Sequence, residues 1–354
     1  MPLPELLLIE KIRALAGRSS PRRLPSDNVL GNIRKGIGDD CAVLAASKTH
    51  DLLVTTDLCI ENVHFRTDWH PPASVGHRCL TRGLSDIAAM GGEPVAAFLS
   101  LGLPAHLSQK WVDGFFKGFD RLAKRFGVTL AGGDIATSPE GISADIVVLG
   151  RVPKGKAILR SGARPDDLIY VSGVLGGSAE MLANLKRKER RSSSGSKISD
   201  ETVSAHYFPQ PRIKIGQWLR EHHAATAMID ISDGLSNDLW HICEESGVAA
   251  VIEREAIPRA RLHRRSAAAR LSQEDAQELG FALHGGEDYE LLFTVSRSQK
   301  MPSRIMGIPI TKIGEILSQT KGTASLRILH NDGTIERLHR SGWEHFSNSS
   351  NPPI

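Results

Sequence analysis

The sequence predicts a two-domain chain of mixed α and β structure, and three observations carry that expectation. Apolar runs of strand length recur along the whole chain, stretches with apolar residues at three-to-four spacing lie between them, and junctions of glycine with acidic residues appear in both halves. At 354 residues the chain is long enough for two domains, and 40% hydrophobic with 24% charged residues is an ordinary soluble composition.

The stretch at 36–57 sets the pattern, with Gly-Ile-Gly-Asp-Asp-Cys-Ala-Val-Leu at 36–44 and Leu-Leu-Val-Thr-Thr-Asp at 52–57. Two strands are expected, Asp39 and Asp40 entering the first and Asp57 ending the second. Acids gathered at such ends repel one another unless water, protons or cations offset their charge. A hard divalent cation is the partner suited to oxygen ligands. At any single position the alternative is an Asp that satisfies nearby backbone N–H groups. Comparable junctions follow as Leu-Ser-Asp-Ile-Ala-Ala-Met-Gly at 84–91, Ala-Gly-Gly-Asp at 131–134 and Met-Ile-Asp-Ile-Ser-Asp-Gly-Leu at 228–235.

At the N-terminus Glu5 and Glu10 interrupt the apolar pattern where a signal peptide would have a continuous core, so a short docking helix is expected. No run approaches the roughly 18 to 20 apolar residues that span a bilayer. The cysteines, Cys41, Cys59, Cys79 and Cys243, are widely spaced with no CxxC pair, which indicates neither zinc nor a disulfide framework. A protein of the reducing cytoplasm, without a membrane partner, is expected. The net charge of +4 is too small over this length to point to nucleic acid.

Beyond Asp57 a loop holding Asn62 and His64 precedes a helix at 73–90, whose buried face is Val75, Cys79 or Leu80, Leu84 and Ile87. Asp86 lies beside that face, where it either pairs with Arg78 or Arg82 or reaches a metal at the helix end. A strand at 99–103 leads to a second helix, capped by Ser108, carrying a stripe of Trp111, Phe115, Phe119, Leu122 and Phe126, and ended by Gly127. Phe116, off that stripe, is core or a platform for a flat ring. A strand at 128–131 then exits at Gly132-Gly133-Asp134, where glycine lets backbone approach a phosphate and the acid can hold a metal. A strand at 142–152 completes the first half.

Between 153 and 167 the composition shifts to Gly, Pro, Lys and Arg, which places a domain boundary between 1–152 and 153–354. Arg160 in this segment is a phosphate contact or an exposed linker residue. A strand at 168–172 turns through Gly173 and Gly176-Gly177 into a helix, a turn that either cradles phosphate or serves close packing. The basic, serine-rich segment 186–201 reads as a flexible loop, with RNA binding as the alternative. Pro211 opens a helix, a strand at 226–231 follows, and Ser232-Asp233-Gly234 begins a helix through Glu245. Asp230 and Asp233 flank that helix start, where Ser232 or Asp233 would be an ordinary N-cap. A strand at 248–253 precedes His-Gly-Gly-Glu-Asp-Tyr-Glu-Leu-Leu-Phe at 284–293.

In this order, the motifs at 36–44, 55–57, 62–65 (Asn-Val-His-Phe), 84–91, 132–134, 229–235 and 285–291 resemble those of the thiamine-monophosphate kinase family, over nearly the whole chain. The resemblance implies an α+β fold, that of the aminoimidazole ribonucleotide synthetase superfamily. Its N-terminal sheet would form a barrel across a homodimer, and its C-terminal domain an α/β sandwich. It implies phosphorylation of thiamine monophosphate to thiamine diphosphate, with ATP as co-substrate and several magnesium ions. Carried over position by position, the magnesium ligands are Asp40, Thr55, Thr56, Asp57, Asp86, Asp134, Asp230 and Asp233. The nucleotide contacts are Phe116, Gly133, Asp134, Arg160 and Ser232, and the acceptor contacts His64, Glu287 and Trp343. No general base is implied.

The chain departs from the family pattern at Thr55, where Ser is usual, at Phe116, where Tyr is usual, at Ile135, where Thr is common, and in the segment 186–201, which looks inserted. It has no Walker A motif and no kinase His-Arg-Asp, so positioning falls to magnesium and Arg160. Within the superfamily, selenophosphate synthetase is disfavoured because no Cys precedes Cys41 in a glycine loop. The hydrogenase maturation dehydratase is disfavoured because the chain ends in Asn-Pro-Pro-Ile. A nucleotide-binding regulator without activity is the alternative from another class.

Overall fold

A computed structural model describes residues 4–18, 32–190, 205–260, 268–319 and 325–342. Two sheets dominate it. The first has six strands, β1 (Ile33–Lys35), β2 (Ala42–Ala45), β3 (His50–Ile60), β4 (Glu93–Pro104), β5 (Thr129–Ser138) and β6 (Ser143–Pro153), in the order β1-β2-β3-β6-β4-β5. Neighbours are antiparallel except β4 and β5. Ala144, Ile146, Val148, Gly150 and Val152 of β6 are buried while the residues alternating with them are not, so a period of two selects one face for the core.

Helices α2 (Pro72–Ala89) and α3 (Gln109–Phe126) pack against each other in this half. The Ser108 hydroxyl accepts the Trp111 N–H at 3.3 Å, and Gly127 closes α3 at φ 67°. Phe115, Phe119 and Leu122 are buried, and Trp111 and Phe126 pack on the same core, as the stripe predicted. The two helices cross with their backbones nearly touching. A Cβ on Gly118 would lie 1.8 Å from the Ala73 carbonyl oxygen, and one on Gly76 2.0 Å from that of Phe115.

The second sheet is built from β7 (Leu168–Ser172), β8 (Ala225–Ile231), β9 (Ala249–Glu253), β10 (Glu290–Val295), β12 (Ile308–Leu317), β13 (Leu326–Leu329) and β14 (Ile335–Leu338), in the order β14-β13-β9-β12-β7-β10-β8. The short β11 (Arg304–Ile305) pairs with β12. Its helices are α4 (Gly177–Arg190), α5 (Ile213–Glu221), α6 (Leu235–Ser246) and α7 (Ala268–His284). Strands β8 and β10 are buried on both faces. Met228, Leu291 and Phe293 join the core that holds α2, while Ile229 and Leu292 join the core that holds α6. Helix α2 therefore lies between the sheets, touching β3 and β6 on one side and α5, β8 and β10 on the other. Helix α1 (Glu5–Arg18) docks through Arg13, which donates to Glu245 of α6 at 2.7 Å.

Several expectations change. Gly132-Gly133-Asp134 lies in the middle of β5 rather than at a strand exit, because β5 runs on in parallel beside β4. The strand expected at 99–103 extends over Glu93–Pro104. Residues 186–190, read as the start of a flexible loop, continue α4, and 191–204 lie outside the described residues. Among the described residues, no helix is long and apolar enough to cross a membrane. The four cysteines are buried thiols.

Candidate active site

Three of the predicted acids come together where α2 meets both sheets. Asp40 follows the glycine turn before β2, Asp86 lies in the last turn of α2, and Asp230 is on β8. One carboxylate oxygen from each lies within 4.8 Å of the other two. Asp40 and Asp230 are 7% and 2% exposed, so the cluster is formed inside the protein. Of the two alternatives for Asp86, pairing with Arg78 or Arg82 does not occur, since both arginines are turned to Glu287. Instead Asp86 accepts a hydrogen bond from the Thr55 hydroxyl and shares one with Asp57, both on β3. Thr55 and Asp57 face α2 because alternation along β3 turns them to the same side as the buried Leu53 and Cys59. Thr56 points the other way and donates to Asp145 at 2.9 Å.

Burial and mutual repulsion act on all of these acids in the same direction. Burial raises Asp230 to about 8, with Asp40 adding to the shift. Burial likewise raises Asp57 to about 6 and Asp86 well above the usual carboxylate range, with Asp57, Asp230 and Asp40 pushing Asp86 further. Asp233 is raised to about 6, again by burial first. One cation is built in. Arg160 donates from Nη2 and Nε to Asp40 Oδ1 at 2.7 and 3.2 Å, so it is an interior ion pair rather than an exposed linker residue. Its backbone N–H also donates to Asp39, at 3.1 Å. Among the described residues, Asp40 Oδ2 and Asp230 Oδ2 are buried with no hydrogen-bond partner.

The turn at Ser232, Asp233 and Gly234 is held by a residue that sequence reasoning missed. Asp238, one turn into α6, accepts the backbone N–H groups of all three at 3.1 to 3.2 Å. Asp233 and Ser232 are thus freed from capping, and neither caps the helix as the alternative supposed. An Asp four to six residues after its donors matches no N-cap spacing, so local spacing carries no sign of it. The turn and Arg160 line a cavity of 1240 Å³ with Asp39, Asp238, Trp240 and α1 residues such as Ile9 and Arg13.

A second constellation adjoins the first. Glu287 takes Arg78 Nη2 on Oε2 and Arg82 Nη2 on Oε1, each at 2.5 Å, both from α2. Desolvation would raise the half-buried Glu287 carboxyl, but these guanidiniums hold it down at about 2. His64 is 8% exposed; its Nδ1 accepts the Ile60 N–H at 3.0 Å, and its carbonyl accepts from Arg78 at 3.0 Å. His206, with no exposed surface, contacts His70 Nε2 through Nε2 and Ser178 Oγ through Nδ1, each at 2.9 Å, and gives its carbonyl to Arg78. The Gly176-Gly177 turn is occupied by the chain itself, since Asp288 Oδ2 accepts the Gly176 N–H at 2.8 Å.

With this geometry in place, comparison with known proteins is decisive. A family model described as AIR synthase related protein, N-terminal domain, matches residues 38–152. The thiamine-monophosphate kinase of Salmonella typhimurium is 36% identical over 325 residues, covering 89% of this chain and 93% of its own. That of Bacillus subtilis is 34% identical over 315 residues, covering 88% and 93%. The chain belongs to the thiamine-monophosphate kinase family. A solved structure of AaThiL complexed with AMPPCP and TMP superposes with a TM-score of 0.77 at 29% identity, covering 97% of each chain. The α+β fold of the aminoimidazole ribonucleotide synthetase type, expected from the motifs, is the fold observed.

The residues that the thiamine-monophosphate kinase resemblance singled out are distributed unevenly. Asp40, Thr55, Asp57, Asp86, Asp230 and Asp233 belong to the interior acidic region, and Glu287 with His64 to the arginine constellation beside it. Asp134 is exposed on β5, its Oδ1 accepting the Ile135 N–H at 2.9 Å. Phe116 is half-buried, edge-on to Phe115 at 5.5 Å, and with Gly133 of β5 it lies off the cavity that Arg160 and Ser232 line. Trp343 lies outside the described residues.

Proposed function

We propose that this chain transfers the terminal phosphoryl group of ATP directly to the phosphate of thiamine monophosphate, giving thiamine diphosphate. The observation that carries the reading is the interior cluster of Asp40, Asp86 and Asp230 with two unpartnered carboxylate oxygens, set beside the Arg78, Arg82 and Glu287 constellation. The names of the relatives and the AMPPCP and TMP of the AaThiL complex support it.

The donor set fits magnesium: it is all oxygen, mostly carboxylate, and carries buried lone pairs that no protein group satisfies. Asp40, Thr55, Asp57, Asp86, Asp230 and Asp233 of the interior region are the residues proposed to hold it, with Thr56 and Asp134, which lie outside that region, as the further ligands that the resemblance implies. When bound, several such ions neutralise the charge that keeps two polyanions apart. The chain's own contribution is positioning. Arg160 anchors one oxygen of Asp40, and Asp238 fixes the Ser232 turn, so both sides of the nucleotide cavity are set before ligand arrives. Arg160 and Ser232, on that cavity, are proposed nucleotide contacts, with Phe116, Gly133 and Asp134, which lie off it, as the further contacts that the resemblance implies; His64, Glu287 and Trp343 are the proposed acceptor contacts. No general base is required, because a phosphate monoester is already largely deprotonated at neutral pH, with a second pKa of about 6.

The reading includes a division into units at 1–152 and 153–354, a cytoplasmic setting and a homodimer. The first sheet supports the dimer by leaving Leu58, Val95, Phe98, Leu130 and Ile135 exposed. Incubating the pure protein with ATP, magnesium and a panel of phosphate esters tests the function. Thiamine diphosphate formed in step with ADP is expected. Turnover of a different ester would point to another ATP-using branch of the superfamily, and nucleotide binding without turnover to a regulator.

A further inference from the structure

Two arginines of this interior grip carboxylates with the fork formed by Nε and Nη2. Arg160 places both donors on Asp40, and Arg212 places both on Glu290. Arg82 does not. Its Nη2 donates to Glu287 Oε1 at 2.5 Å, but its Nε is buried with no hydrogen-bond partner among the described residues. The cause lies across the same carboxylate, whose other oxygen is taken by Arg78. One Glu thus serves two guanidiniums, and the trio keeps one net positive charge.

The two arginines are not equivalent. Arg78 has 1% of its side chain exposed, and its remaining contacts, the carbonyls of His206 and His64 at 2.9 and 3.0 Å, lock it in place. Arg82 keeps 13% of its side chain accessible, and Glu287 is its one hydrogen-bond partner among the described residues. Its charge is also felt on the other side, where it lowers the pKa of Asp57 and Asp233 against the effect of burial. Arg82 therefore sits between the acidic cluster and the constellation proposed to hold the acceptor, with a half-filled fork.

We infer that Arg82 binds the acceptor's phosphate and makes the site selective for a phosphate monoester over the corresponding alcohol. The inference rests on the reaction proposed above. A phosphate oxygen supplies the partner that Nε lacks, and a guanidinium is suited to that geometry where an ammonium is not. Because Nε is out of solvent, engagement includes a shift of the Arg82 side chain. Glu287 keeps its counter-charge through that shift because Arg78 stays in place, which accounts for two arginines on one carboxylate. A buried donor left empty is costly, and an alcohol acceptor would leave it empty.

The test uses the full chain with magnesium and without ATP, titrating thiamine monophosphate and thiamine in a calorimeter against the unaltered protein, Arg82→Gln and Arg82→Lys. The unaltered protein should prefer thiamine monophosphate at least tenfold. Arg82→Gln should lose that preference while binding thiamine as before, and Arg82→Lys should keep only part of it. In turnover, the KM for thiamine monophosphate should rise tenfold or more in Arg82→Gln, with the KM for ATP within twofold. An unchanged preference in either variant overturns the inference, as does equal weakening of both ligands, which would mean that Arg82 only supports Glu287. Should Arg82→Gln not fold, Arg82→Lys, which keeps the charge, decides alone. An unaltered protein that turns over thiamine monophosphate while its Arg82 variants show no selective loss rejects this inference and leaves the reaction standing. One that neither binds nor turns it over rejects both.

Discussion

Arg160 puts two donors on one oxygen of Asp40 and leaves the other, Oδ2, buried without a partner. A carboxylate satisfied on one side only, beside Asp86 and Asp230, marks a site built for a charge that the chain does not supply. Asp230→Asn should therefore stabilise the metal-free protein, by about 1 to 3 kcal/mol at neutral pH, because it removes an acid whose ionisation is opposed by burial and by Asp40. The same change should lower turnover by roughly a hundredfold or more. Magnesium should raise the melting temperature of the unaltered protein and do much less for the variant. Thermal unfolding with and without magnesium, alongside turnover, checks all three, and a variant with undiminished turnover would reject the metal assignment.

How much of this site could be read from the sequence depends on how local its contacts are. Helix α3 was legible end to end, because Ser108, the aromatic stripe and Gly127 act within one helix. The acids were legible as candidates, since Asp40, Asp86 and Asp230 stand in apolar surroundings where an acid is out of place. Their partners were not. Thr55 reaches Asp86 across 31 positions, and Arg78 reaches Glu287 across 209, so nothing in the local spacing favoured Glu287 over Asp86 as the partner of these arginines. The middle of β5 was misread as a strand exit because two glycines usually mark a turn, whereas here Gly133 permits close approach to β4: a Cβ there would lie 1.8 Å from the Leu99 carbonyl oxygen.

Asp288 should impose a pH dependence on stability. Burial raises its carboxyl from the ordinary 3.8 to about 8, so the folded state holds a proton that the unfolded chain releases. A group shifted upward contributes stability that is complete below the unfolded pKa and disappears as pH rises through the folded one. Between pH 4 and 8 the stability of the unaltered protein should fall with a slope that Asp288→Asn reduces. Urea unfolding across that range measures both, and parallel slopes would show that Asp288 does not titrate there.

The exposed residues of the first sheet predict association. Phe98 and Leu58, at 37% and 54% exposure, stand on a sheet face left exposed among the described residues. Phe98→Asp should shift the protein from a dimer toward a 38.5 kDa monomer without unfolding it, since the side chain is not part of the buried core. Light scattering reads the mass directly. A monomer for the unaltered chain at the same concentration would remove the dimer from the proposal.

His64 tests whether the acceptor needs a base. Its Nδ1 accepts the Ile60 N–H, so the lone pair of that nitrogen is already engaged rather than open to a proton. An alcohol acceptor would need a base within reach of its hydroxyl, and removing that base would lower turnover severely. A phosphate acceptor needs only to be held close to the cation-balanced acids. His64→Gln keeps a polar side chain but alters its reach, so the KM for thiamine monophosphate should rise about tenfold while kcat falls less than threefold. Thiamine itself should not be phosphorylated by either protein. Steady-state kinetics with both acceptors distinguishes the cases: a His64→Gln variant with normal KM and abolished kcat, or efficient turnover of thiamine, would replace direct attack by the phosphate with a base-assisted mechanism.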